Sequence, residues 1–395
     1  MDFYRRALEL KNETVSHRRY MHTNAESGMD LPLTKEYIWQ KLTEYGISPQ
    51  HCGKGITALI GHGEPVILLR ADMDALPMAE DNSEDFSSRT DSAHTCGHDF
   101  HAAMLLCAAK MLKEQEAHLC GSVKLMFQPG EEVLLGCRNM LENGLLENPR
   151  PTAAFALHVA AGRLPLGVFM YNSKGAMMNS CDNFRITVKG KGGHGAYPHL
   201  AVDPINIAVH IYTAFQSLVA TEATPTAATT LTVGRFAAGD SLNIIPDSAS
   251  LEGSIRTDDP ICRSLLKRRI EEIVYGTAKT FGGSAEVEWL ATVPPLICSR
   301  SFTEEMVKYM LELPVPANTP VADMKASASE DFACIAEKLP SAMFYISAGY
   351  EDERGAYSAH NPKVLFNEDV CATGAAAYAH CAVRWLEEYG KKEFR

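Results

Sequence analysis

The sequence predicts an α/β protein in which a smaller α+β domain is inserted into a larger, discontinuous one. Two observations predict this. Short apolar runs at 65–69 (PVILL), 123–127 (VKLMF), 153–159 (AAFALHV) and 342–346 (AMFYI) read as strands buried on both faces, and helical stretches alternate with them. Between the third and fourth runs the pattern changes: strands there alternate apolar and polar residues, as half-exposed strands do.

The elements follow in order. Residues 1–46 read as two helices around an exposed turn, NAESGMDLP. The strand at 65–69 comes next, then a helix at 101–113 (HAAMLLCAAKMLK) that is apolar on most of its circumference and therefore buried. The strands at 123–127 and 153–159 complete the first part of the larger domain, expected at 1–182. The middle, expected at 183–295, reads as strand NFRITVKG, helix PINIAVHIYTAFQSLVA, strands TTLTVGRF and SASLEGSIRT, a further helix and strand SAEVEWLATV. That β-α-β-β-α-β order describes a small ferredoxin-like sheet with helices on one side. The α/β pattern resumes over 296–395.

Composition narrows the function. The chain has 395 residues, 46% of them hydrophobic, and a net charge of −12. An acidic chain without a basic run does not build a nucleic-acid surface. No stretch approaches 18 apolar residues, so no membrane span is expected. The N-terminal segment is charged throughout and reads as an amphipathic helix, not a secretion signal. Eleven scattered cysteines without CxxC pairs read as reduced thiols, which fits the cytoplasm.

Chemistry concentrates where the apolar runs end. PVILL leads into Asp72 and Asp74, VKLMF into Glu131 and Glu132, AAFAL into His158, and AMFYI is followed further on by His360. Open α/β sheets bind ligands beyond the carboxyl ends of their strands. The stretch HTCGHDFH, residues 94–101, precedes the buried helix, whose N-terminus favours a thiolate at Cys96. Cys96, His98, Glu132, His158 and His360 together exceed what one tetrahedral zinc needs and suit two divalent ions with a bridging ligand. Glu131, beside Glu132, is then available as a base. Taken singly, each residue has a plainer reading: a packed thiol, a satisfied histidine, a solvated carboxylate pair at a helix start. Two other readings stay open: a thiol hydrolase with Cys96 as nucleophile and His98 or His101 as base, and a binding protein without catalysis.

The motifs LLRADMDALPM (68–78), HTCGHDFHAAMLL (94–106), FQPGEE (127–132), ALHV (156–159), GKGGHGAYPHLAVDPI (190–205), NIIPDSASLEGSIRT (243–257), SEDF (329–332) and AHNPK (359–363) resemble, in order and over nearly the whole chain, the M20 metallopeptidase and amidohydrolase family. The similarity is greatest to the branch of hippurate hydrolase, N-acyl amino acid amidohydrolases and auxin-conjugate hydrolases. The resemblance implies a two-metal hydrolase domain and an inserted lid that dimerises. It implies two divalent ions per subunit, zinc or manganese, on Cys96, His98, Glu132, His158 and His360, with Cys96 bridging. It makes Glu131 the general base and Asp74 a support for the ligands. It sends His194 into the partner subunit's site and places Asn243 and Arg256 near a substrate carboxylate. The implied substrate is an N-acyl amino acid or similar small conjugate, with a dipeptide as the alternative. Thr95, Phe100 and Val133 depart from the family's pattern, and Phe100 is expected to alter the pocket.

Overall fold

The computed structural model describes residues 1–82, 84–316 and 318–392. In chain order its main elements are α1 (Phe3–Glu9), α2 (Lys11–Thr23), α3 (Pro32–Glu44), β1 (Pro49–Cys52), β2 (Gly55–Gly61), β3 (Val66–Asp72), α4 (His98–Glu114), β4 (Ser122–Gln128), α5 (Gly136–Glu142), β5 (Ala153–Ala160) and β6 (Phe169–Tyr171). These are followed by β7 (Cys181–Lys189), β8 (Gly193–His194), α6 (Pro204–Glu222), β9 (Thr229–Ala238), β10 (Ile244–Ile245), β11 (Ser248–Thr257), α7 (Pro260–Thr280) and β12 (Ser284–Val293). The chain closes with α8 (Arg300–Met310), β13 (Ser341–Ser347) and α9 (Val370–Lys392). They pack as two compact units. One comprises Met1–Met177, Ile297–Lys325 and Cys334–Arg395; the other comprises Met178–Leu296 and Ala326–Ala333.

The first unit is built on a seven-stranded sheet in the order β1-β2-β4-β3-β5-β13-β6. Its four central strands, β4, β3, β5 and β13, run parallel. These are the four apolar runs, and being parallel they bring their carboxyl ends to one edge of the sheet. β3 and β4 are buried along their whole length, as strands covered by helices on both faces must be. α4 is buried at nearly every position, from His98 to Leu112. Its start depends on Gly97, which has φ 92° and lies so close to β5 that a Cβ would strike the Val159 side chain.

The second unit holds a four-stranded antiparallel sheet in the order β9-β11-β7-β12, the β-α-β-β-α-β arrangement expected. α6 and α7 begin alike, with Asp203 and Asp259 accepting from the backbone of the first turn and a proline following each. Their apolar faces close one core with the sheet, around Phe184, Ile186, Ile211, Phe215, Leu251 and Leu266.

Three details differ from expectation. The N-terminal segment forms three helices, because the chain breaks at Leu10 (φ −91°, ψ 0°). The turn at 24–32 is largely half-buried, with Ala25 and Leu31 inside, so it belongs to the packing rather than the surface. The strands β1, β2 and β6 are unexpected: β1 and β6 are short edge strands, and β1 and β2 form a hairpin that extends the sheet beyond β4.

Candidate metal centre

The parallel strand ends and the head of α4 assemble five of the expected residues in the first unit. Cys96 Sγ lies 3.6 Å from His158 Nε2 and 3.3 Å from His360 Nε2. His360 Nε2 is 3.4 Å from Glu132 Oε1, and His98 Nε2 is 3.9 Å from that same oxygen. Potential ligand atoms group as Cys96-His98-His158, Cys96-Glu132-His360 and His98-Glu131-Glu132, with every atom of a group within 4.8 Å of the others. Cys96, His98 and Glu132 each belong to two of these three groups.

The partners of the imidazoles fix which nitrogen is available. His98 Nδ1 donates to the Asp74 carbonyl at 2.9 Å and turns Nε2 toward Glu132, and, against burial, the nearby Asp72 carboxylate holds the imidazole well above its ordinary range before any cation binds. His158 Nδ1 donates to the Val159 carbonyl at 2.7 Å and turns Nε2 toward Cys96. Burial holds His158 well below the ordinary histidine range, so it stays neutral. Asp74 works on the carboxylate side: its two oxygens accept the N–H groups of Glu131 and Glu132, each at 3.1 Å. One buried carboxylate thus fixes the backbone of both glutamates.

The donor set fits divalent ions. His98 Nε2 and Glu132 Oε1 are buried and make no hydrogen bond to protein. Buried polar atoms are almost always satisfied, and a thiol, imidazoles and a carboxylate converging on such atoms are donors that divalent metal ions accept. Burial raises the Cys96 thiol far above its ordinary range. Burial thus works against the thiolate that the helix end favours. Burial likewise raises Glu132. A cation reverses both tendencies, since it binds the deprotonated forms.

The second unit carries His194, Asn243 and Arg256. β8 and β10 pair His194 with Ile244, and Gly195 N–H donates to the Asn243 carbonyl at 2.8 Å, so His194 and Asn243 are neighbours. His194 is exposed, and its Nδ1 accepts Ala196 N–H at 3.0 Å, which leaves the proton on Nε2. Arg256 stands on β11 and donates to Ser329 Oγ at 3.0 Å.

The fold and these distances agree with what the chain is similar to. The profile of Peptidase family M20/M25/M40 matches residues 68–384. The chain belongs to that family. An IAA-amino acid hydrolase ILR1-like 2 from Arabidopsis thaliana is 34% identical over 98% of this chain and 89% of its own length. A hippurate hydrolase from Campylobacter jejuni is 34% identical over 96% of this chain and 98% of its own. The solved YXEP protein of Bacillus subtilis, described as a dinuclear metal-binding peptidase of family M20, superposes with a TM-score of 0.78 at 29% identity, covering 96% of this chain and 99% of that one. This M20 chain is a metal-dependent amidohydrolase, and among its described residues no helix is long and apolar enough to cross a membrane.

Two expectations change within the M20 frame. Phe100 does not line a pocket: it is wholly buried, its ring 5.6 Å from that of Phe366 and 4.6 Å from the Arg18 guanidinium. His101 is no base for a thiol, because Nδ1 bonds the Asp72 carboxylate and Nε2 accepts Val159 N–H at 2.8 Å. The sequence marks Asp72 only as the end of an apolar run and His101 only as a base in the thiol reading, and neither as a support for the ligands. The signal was present, since His101 follows His98 by one helical turn and Asp72 ends an apolar run.

Proposed function

We propose that this enzyme hydrolyses the amide bond of N-acyl amino acids or similar small conjugates with two divalent ions, zinc or manganese, on Cys96, His98, Glu132, His158 and His360. The observation that carries the reading is the convergence of these five donors around buried, unbonded His98 Nε2 and Glu132 Oε1, with Glu131 clamped beside them by Asp74. When bound, such ions acidify water and polarise a carbonyl oxygen. Glu131 takes the proton of the attacking water and passes it to the nitrogen of the breaking C–N bond, so that a carboxylic acid and an amine leave. The Asp74 clamp keeps Glu132 toward the donor cluster and Glu131 toward the substrate. His194, with its proton on Nε2, donates to the carbonyl oxygen as negative charge develops there. Arg256 pairs with the substrate α-carboxylate in two-point geometry, and Asn243 binds beside it.

The inserted domain, residues 183–295, serves in this reading as a lid that forms a homodimer. Its support is the edge strand β9 and the exposed Val209 and Tyr212 on neighbouring α6, an unpaired edge beside an apolar strip. All eleven cysteines are free thiols, which supports a cytoplasmic enzyme.

The test is a panel of acetyl-, benzoyl- and longer acyl-amino acids beside dipeptides, assayed with zinc or manganese and again after chelation. Metal-dependent turnover of acyl-amino acids is the expected result. Preference for dipeptides makes the enzyme a dipeptidase, and turnover that survives chelation removes the metal mechanism.

A further inference from the structure

The central strands β3 and β5 do not stay paired to their ends. β3 continues beside β4 as far as Asp72↔Gln128, and β5 continues beside β13 as far as Ala160↔Ser347. The ladder between β3 and β5 stops at Arg70↔Ala156. From there the two strands part, and His158 lies on the part of β5 that β3 no longer supports.

Two buried side chains occupy the gap at successive rungs. The Tyr378 hydroxyl donates to the Arg70 carbonyl at 2.7 Å and accepts Leu157 N–H at 3.0 Å. It stands where a direct bond from β5 to β3 would be. One rung on, His101 Nε2 accepts Val159 N–H at 2.8 Å, and Nδ1 donates to Asp72 of β3. A backbone N–H always donates, so His101 is held in the neutral, Nδ1-protonated form. Both side chains are fully buried. Leu157 and Val159, the residues on either side of His158, are thus bonded to side chains from α9 and α4 instead of to a strand. The His101 ring also packs 4.4 Å from the His158 ring, nearly edge-on at 63°.

We propose that Tyr378 and His101 are positioning residues that wedge β3 and β5 apart and hold His158 in place for metal binding. This accounts for a histidine in HTCGHDFH that the metal does not need. Without the wedge, either the ladder closes further and draws β5 toward β3, or two buried N–H groups lose their partners. Either change moves His158 relative to Cys96. The inference rests on the metal-site reading above.

The test uses the full chain with His101→Leu, His101→Gln and Tyr378→Phe. Zinc affinity is measured by competition with a chromophoric chelator, cobalt loading by the absorption of the Cys96 thiolate, and folding by circular dichroism. His101→Leu is expected to weaken zinc about 10–100-fold, the range typical of groups that orient ligands, and to alter the cobalt spectrum. His101→Gln, which keeps an acceptor for Val159 N–H, recovers part of the loss. Tyr378→Phe shows a smaller loss in the same direction, and it decides the matter if His101→Leu does not fold. Folded variants with wild-type zinc affinity and an unchanged cobalt spectrum overturn the wedge. Failure of the wild type to bind zinc or cobalt instead overturns the metal-site reading.

Discussion

In the first unit the polar groups of the site, apart from the exposed His360, are buried or nearly so, and several are held by partners from different strands and helices: Asp74 clamps two glutamates, Asp72 holds His101, and backbone carbonyls set His98 and His158. In the second unit His194 and Asn243 stand exposed at a ribbon two residues long, and among the described residues the hydrogen bonds of their side chains are local. A buried polar group must be satisfied, and satisfying it fixes its geometry. An exposed one keeps its freedom until a ligand or a partner orders it. The first unit is therefore suited to hold reacting groups in place, and the second to contribute groups that act only when a substrate is present.

The sharpest way to break this contrast is Glu131→Ala. Loss of a general base should lower kcat by about 10²–10⁴, with metal content and melting temperature unchanged, as metal analysis and calorimetry would show. A variant retaining more than about a tenth of the wild-type rate would move the base elsewhere.

A smaller effect tests the exposed unit. Glu131→Ala and His194→Ala proteins, each inactive, are unfolded and refolded together. If His194 serves the partner's site, each mixed dimer holds one intact site, and random mixing restores roughly a quarter of all sites. If mixed dimers form and no activity returns, His194 serves its own subunit.

What could be read in the sequence follows the same contrast. The four parallel strands were legible because each is a short apolar run, and three of those runs lead directly into Asp72 and Asp74, Glu131 and Glu132, or His158. The support behind them was not. Tyr378 reaches Arg70 across 308 positions and Leu157 across 221, and no local pattern announces a hydroxyl inserted in a ladder. Phe100 misleads for a related reason: a large ring where the family's pattern has a small residue suggests an altered pocket, whereas α4 turns it into the core against Phe366. The break at Leu10 escaped because neither glycine nor proline marks it.

The smallest effect concerns the cost of burying polar groups in the first unit. His17 bonds the Tyr37 and Tyr45 hydroxyls at 2.8 and 2.7 Å, and burial lowers its pKa to about 4, with Glu13 acting against that shift. Because the folded value lies below the unfolded one, the neutral form stabilises the fold. That contribution is complete above about pH 6.5 and is lost as the pH falls toward 4, an effect of at most about 3 kcal/mol. Urea unfolding from pH 7 to pH 4 should show it, and His17→Gln should flatten that part of the profile. An equal slope in the variant would assign the acid sensitivity to other groups.

The central claim is that residues brought together from separate strand ends hold two divalent ions. Titration of the chelated, refolded-free protein with zinc or manganese, read by calorimetry and checked by elemental analysis after gel filtration, tests it most directly. The account predicts two ions per chain in the wild type and a loss of bound metal in His98→Ala, whose imidazole belongs to two of the ligand groups. Fewer than two ions in the folded wild type, or two ions still bound with unchanged affinity in His98→Ala, would contradict it.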